Sequence, residues 1–253
     1  MTEPVFLAAP AELAGLVPGS SWTLAGSEGH HARNVRRLAP GEPVDVVDGS
    51  GRRVSCTVEA PAAEGLQLRV GTVDDEPENV QQLVLVQALA KGGRDEMAVE
   101  AATELGVDGV IPWQAERSIV RWKADKAIKG RGKWEATVRS AVKQSRRARV
   151  PWVDGPVTLT GLLEHCSGAD LALILHETAA AGISDLRSTL PGPHSPARIL
   201  LIAGPEGGIS DREVESLTAS GAVPLQLGGN VLRSSTAGPA AVAILNHLLG
   251  RWN

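Results

Sequence analysis

Hydrophobic positions fall into two regimes along this chain. Up to about residue 72 they come in short runs, at 44–47, 54–58 and 66–70, separated by Pro40-Gly41, Asp48-Gly49-Ser50-Gly51 and Ala60-Pro61. Such runs predict short strands, and Asp48 to Gly51 predicts a hairpin turn. One helix, over about 27–38, interrupts them and carries His30, His31, Arg33, Arg36 and Arg37. The polar, proline-containing stretch 74–79 reads as a linker. Beyond it the runs become continuously apolar, at 83–89, 107–111, 171–175 and 199–203. That is the pattern of strands buried on both faces in a parallel sheet. A helix over 95–105, with Met97, Val99, Ala101, Ala102 and Leu105 as its inner stripe and Gly106 as its stop, completes a βαβ unit. The expectation is an α/β chain of two domains, 1–72 mostly β and 73–253 built on a parallel sheet.

Two glycine turns stand out in the second domain. Strand 199–203 runs into Gly204-Pro205-Glu206-Gly207-Gly208, and Ser210 with Glu213 then forms a capping box that starts a helix to about 220. Strand, glycine turn and helix in that order place a ligand beyond the carboxyl end of the strand. The second turn, Leu225-Gln226-Leu227-Gly228-Gly229-Asn230-Val231-Leu232-Arg233-Ser234-Ser235, leads into an apolar helix from about Thr236 with Pro239 in its first turn. No G-x-x-x-x-G-K-[ST] loop occurs. Gly49-Ser50-Gly51 and Gly130-Arg131-Gly132 each lack the third glycine of a dinucleotide fingerprint. Nucleoside triphosphates and dinucleotides are therefore poor candidates for the ligand.

The net charge of −4 argues against nucleic acid until its distribution is examined. Residues 117–149 hold twelve Lys or Arg against Asp125 and Glu135, a segment of +10, which leaves −14 on the rest. A basic block of that size in an acidic chain points to a polyanionic partner. The candidate RNA contacts are Arg94, Arg121, Lys123, Arg139, Lys143, Arg146 and Arg147, joined by Arg33, Arg36 and Arg37 of the first domain. Trp122, Trp134 and Trp152 lie in or beside the block, either to stack on bases or to pack internally. His30-His31 has no further ligand at suitable spacing, so no metal is expected. Cys56 and Cys166 are far apart and read as reduced, buried thiols, which implies a cytoplasmic protein. No basic leader with a long apolar core is seen, and apolar runs of about five residues are too short to span a bilayer.

The paired turns Gly204-Pro205-Glu206-Gly207-Gly208 and Leu227-Gly228-x-x-Val231-Leu232-Arg233-Ser234-x-Thr236-Ala237 resemble the SPOUT RNA methyltransferases. In particular they resemble the RsmE-type family, which methylates N3 of one uridine in 16S rRNA. Lys91-x-x-Arg94 with Ala102-Thr103-Glu104-Leu105-Gly106-Val107, and Gln144-Ser145-x-Arg147 after Lys143, extend the likeness over the chain. Three departures are visible, Ala101 for a common Lys, Lys143 for Glu, and Ser235 for a common Glu. The resemblance implies a PUA-like or OB-like barrel at the N-terminus, where His31, Val35 and Arg37 fit the pattern. It implies a deep trefoil knot that cradles S-adenosyl-L-methionine with Leu175, His176, Ala203, Gly204, Pro205, Glu206, Gly207, Gly208, Leu227, Gly228, Val231, Leu232 and Ser234. It also implies a homodimer acting on 16S rRNA in the 30S subunit.

Methylating N3 requires loss of its proton and stabilisation of the charge left on the ring, with the base held unpaired. Arg233 is the expected stabiliser of that charge. Glu206 or His176 takes the proton, or orients a loop. Two other readings stay open, a ribose 2′-O-methyltransferase of the same fold and a non-catalytic RNA-binding assembly protein.

Overall fold

The computed structural model describes residues 3–192 and 194–252, and the chain divides into two compact units. The first comprises residues up to 78 together with 142–150, and the second holds 79–141 and everything from 151.

The first unit carries, among the described residues, a five-stranded sheet in the order β1 (Val5–Leu7), β3 (Pro43–Val47), β4 (Arg52–Ala62), β5 (Gly65–Asp75), β2 (Ser21–Leu24). β1 lies parallel to β3, and the other neighbours are antiparallel. Alternation sends Val54, Cys56 and Val58 of β4 and Leu66, Leu68 and Val70 of β5 into one core with Phe6, Leu24 and Ala32. Two short helices accompany the sheet, α1 (Pro10–Leu13) and α2 (Gly26–His30). The latter continues as a π-helical turn, His31–Val35, in which the Arg36 amide donates to the His31 carbonyl at 2.9 Å.

The expected linker begins too early. Asp74 and Asp75 finish strand β5, because Arg52 on the facing strand grips Asp75 with two bonds, at 2.9 and 3.0 Å. Arg53 beside it joins Glu76 and Asp45. Residues 142–150, which the expected division at 72 left in the second domain, are built into the first unit. Ala148 packs against Val5 and Val47, the Val150 amide donates to Gly49, and Arg53 donates to the Arg146 carbonyl.

The second unit is a six-stranded parallel sheet among the described residues, in the order β11 (Val223–Leu225), β9 (Leu171–Leu175), β10 (Ala197–Ala203), β6 (Gln81–Ala88), β7 (Gly109–Trp113), β8 (Trp152–Val153). Val84, Val86, Ile174, Leu200 and Ile202 form a core with Leu162 and Cys166 of α5 (Leu159–Ser167) and Leu217 of α6 (Asp211–Ala219). Helices α3 (Arg94–Glu104) and α7 (Ser234–Leu248) pack on each other and on β6. Gly238 lets α7 come in closely, since a Cβ there would stand 2.7 Å from Leu85 Cδ1.

One helix differs from expectation, and another is longer than its glycines suggest. The inner stripe of α3 is Asp95, Ala98, Val99 and Ala102, the i, i+3, i+4, i+7 positions, which turns Met97 outward to 58 % exposure. Helix α4 spans Asp125–Ser145, despite Gly130 and Gly132 near its start. Gly130 is where the Trp122 ring lies against the helix, and a Cβ would meet that ring at 2.4 Å. Both cysteines are free and buried, and burial pushes their thiols up, Cys56 to about 12 and Cys166 to about 11. Among the described residues no helix is long and apolar enough to cross a membrane.

Candidate cofactor and RNA site

Strand register brings the site together. Leu225, Leu175, Ala203 and Gln87 are successive partners across β11, β9, β10 and β6, so the segments after all four strands leave the sheet at one edge. This is the edge where open α/β sheets bind ligands.

The turn after β10 is braced from three directions. Gly204 is tight against Ile209, with room for a Cβ only 2.7 Å from its Cγ1, and Gly208 takes a φ of +72°, which favours glycine. The Gly208 amide closes the turn onto Pro205 at 2.9 Å. Arg117 donates to the carbonyls of Gly207 and Ile209 at 3.2 and 3.3 Å. Glu206 accepts from the Lys91 amide at 3.1 Å and from Arg94 at 3.0 Å. Burial pushes the Glu206 carboxyl up, but its own amide, the Lys91 amide and Arg94 outweigh that and hold it below its usual range. Ser210 caps α6 as expected, exchanging bonds with Glu213, whose other oxygen accepts from the Glu116 amide at 2.7 Å.

The segment after β11 is open. Leu175, His176, Leu227, Gly228, Val231 and Leu232 line a cleft of about 380 Å³, with Glu177, Leu225, Gln226, Asn230 and Ala237 completing its wall. The His176 amide donates to Leu225, and its Nδ1 lies 3.1 Å from the Thr178 hydroxyl. Arg233 is the N-cap of α7, exposed, and its side chain makes no ion pair among the described residues. Ser234 is buried and its Oγ has no hydrogen-bond partner among them. Ala203 through Gly208 stand at the same edge but do not line this cleft. The wall residues that sequence reasoning missed, Glu177, Gln226 and Asn230, belong to the strand ends already singled out. They lacked only a motif position of their own.

The basic candidates separate into engaged and exposed groups. Arg94 is paired with Glu206, and Arg121 donates to the carbonyls of Gln114, Ala115 and Glu116. Lys143 reaches both oxygens of Glu28 at 2.9 Å and lies over the Phe6 ring. These three already hold partners within the protein. Arg146 and Arg147 are half-buried, whereas Arg36, Arg37, Lys123 and Arg139 are exposed. Arg33 is exposed and bonds the Ala62 carbonyl. Trp134 is fully buried with Trp122 edge-on to it, whereas Trp152 is 37 % exposed with Arg198 lying over its ring. Among the described residues no group of three or more His, Cys, Asp or Glu is placed to hold a metal.

A methionine-derived sulfonium ligand suits this donor set. The cleft combines aliphatic walls with backbone from a glycine segment, and a buried, unpartnered hydroxyl stands at the start of the adjoining helix. No charged side chain is buried there that would repel a cation.

The architecture and the cleft are those of an α/β RNA methyltransferase with a PUA domain. Residues 76–246 match the RNA methyltransferase domain family and residues 24–71 match the RNA methyltransferase PUA domain. A ribosomal RNA small subunit methyltransferase E from Mycobacterium bovis is 40 % identical over 239 residues, covering 93 % of this chain and 89 % of its own. The same-named enzyme from Neisseria gonorrhoeae, solved bound to S-adenosyl methionine, superimposes with a TM-score of 0.82 at 26 % identity and 98 % coverage of both chains. A Legionella pneumophila methyltransferase solved with bound SAM gives 0.83 at 28 % identity, again covering 98 % of each. The chain belongs to the ribosomal RNA small subunit methyltransferase E family.

Proposed function

We propose that this protein transfers a methyl group from S-adenosyl-L-methionine to N3 of one uridine in 16S rRNA. The observation that carries the reading is the cleft at the carboxyl edge of the sheet, lined by Leu175, His176, Leu227, Gly228, Val231 and Leu232. It falls inside a domain matched to RNA methyltransferases, and two related structures hold the cofactor.

When bound, S-adenosyl-L-methionine would supply an electrophilic methyl carbon, whose bond to sulfur would break as the N3–C bond forms. The protein's part is positioning and charge. The strand ends and the 226–232 backbone hold the ligand against aliphatic side chains, and the Ser234 hydroxyl supplies a polar contact at the start of α7. Arg233, exposed at the rim, stabilises the negative charge that spreads to O2 and O4 when the N3 proton leaves. His176 is the better placed of the two proton acceptors, because it lines the cleft while Glu206 is already held by Lys91 and Arg94. Glu206 keeps the other role considered for it, orienting the loop. The same reading includes a trefoil knot, in which β10 lies between β9 and β6 before the chain returns through α7. It also includes a homodimer, and a cytoplasmic enzyme whose substrate is the 30S subunit.

The test is mass spectrometry of nucleosides from 16S rRNA after unmodified small subunits are incubated with the protein and methyl-labelled cofactor. Label in 3-methyluridine is expected. Label in a 2′-O-methyl nucleoside overturns the N3 assignment and keeps the transferase. Cofactor binding absent by calorimetry, with RNA still bound, makes the protein an assembly factor.

A further inference from the structure

A second pocket lies wholly within the first unit and shares no residue with the cleft. We propose that it holds one unstacked nucleotide of the RNA substrate, a subsite separate from the position that is methylated. The inference rests on the RNA reading above.

His30, Arg33 and Asn34 form one wall and the hairpin tip at Glu64 and Gly65 forms the other, around a cavity of about 310 Å³. That lies at the lower end of the range of small-ligand sites, about 300–1,000 Å³. His30 ends α2, and Arg33 and Asn34 lie in the π-helical turn that follows it, a distortion that recurs at functional positions.

The walls are fixed by glycine. A Cβ on Gly29 would lie 2.2 Å from the Leu24 carbonyl oxygen, and one on Gly65 would lie 2.0 Å from the same atom. Helix, strand β2 and hairpin tip therefore meet at backbone distance, and the pocket's shape is set before anything binds, which lowers the entropy lost on binding.

Charge and chemistry select the occupant. Arg33 gives one N–H to the Ala62 carbonyl at 2.5 Å, which fixes the planar group at the rim. A guanidinium has five N–H donors, so a fork remains for a phosphate. Glu28, the acid of this helix, is taken by Lys143, and Arg36 and Arg37 lie exposed on the next turn. The imidazole of His30 offers a face on which a base can stack, and the Asn34 amide offers a donor and an acceptor to a base edge. A bare phosphate uses the arginine alone, whereas a nucleotide uses all three.

The experiment uses the whole protein with His30→Ala and Asn34→Ala combined, both residues being exposed. Affinity for unmodified small subunits and for protein-free 16S rRNA is read by filter binding, and cofactor binding by calorimetry. The expected result is a loss of roughly tenfold in affinity for both RNA forms, in line with losing one base stack and its edge contact. Cofactor affinity and the rate at saturating subunits stay at wild-type values. Wild-type RNA affinity in the double variant overturns the proposal. A loss seen with subunits and not with free rRNA also overturns it, and assigns the pocket to a ribosomal protein. If the wild-type protein binds rRNA and transfers no methyl group, the enzymatic reading fails, and the affinity comparison still decides the pocket.

Discussion

The two glycine turns look alike on paper and differ in mechanics. The turn after β10 is locked by Arg117, Arg94, the Lys91 amide and the Ile209 side chain, so the carbonyls of Pro205, Gly207 and Ile209 and the Glu206 carboxylate are engaged. The segment after β11 leaves Val231 74 % and Leu232 37 % exposed and forms the wall of the cleft. Glycine serves close packing in the first and an accessible backbone in the second. A glycine-rich motif therefore does not announce a ligand contact by itself. The neighbours decide, and here they brace one turn and leave the other exposed.

Substitutions can break that contrast. The largest effect belongs to the open segment, where Arg233→Ala is expected to lower the single-turnover rate on the order of 10²- to 10³-fold, the range for removing one charge-stabilising donor. Cofactor affinity by calorimetry should change little, and a wild-type rate would remove Arg233 from the reaction. Next comes Gly204→Ala in the locked turn, expected to destabilise by about 1–3 kcal/mol through overpacking against Ile209, read in urea unfolding. A neutral result would mean that this turn is as free as the other.

Glu206→Gln sharpens the comparison through pH. The folded carboxyl titrates below its ordinary value of 4.5, so its contribution is complete above that value and is lost as pH falls through the folded one. Wild type is expected to exceed the variant by about 0.5–1.5 kcal/mol at neutral pH, with the two converging in acid. A gap that persists at low pH would assign the effect to packing. Smallest is Gly229→Ala in the open segment, where no atom lies within 4 Å of an added Cβ, so stability should shift by less than about 0.5 kcal/mol.

The sheet was legible because strands buried on both faces must be continuously apolar, and 83–89, 171–175 and 199–203 all became strands of the parallel sheet. The capping box at Ser210 was legible because its bonds are local. Strands β1, β2 and β8 were missed, since two to four residues carry no readable period. The fates of Arg121 and Lys143 were hidden for a different reason. A cation's partner is a matter of tertiary contact, and Glu28 lies 115 residues away from Lys143 in sequence. At the site, the motif pointed to strand ends that the register gathers at one edge of the sheet, while the division between locked and open turns depended on Arg117 and Arg94, which no local pattern ties to residues 206–209.

Residues 142–150 also set a timetable. They complete the first unit by covering Val5 and Val47 with Ala148 and by holding Gly49 through Val150. On a translating ribosome, the segments that become β6, α3, β7 and α4 are made before that cover exists. Domains synthesised first ordinarily fold first. Here the leading unit waits with an apolar edge uncovered until the middle of the chain has emerged, and a nascent chain stalled near residue 78 would be one for chaperones to hold.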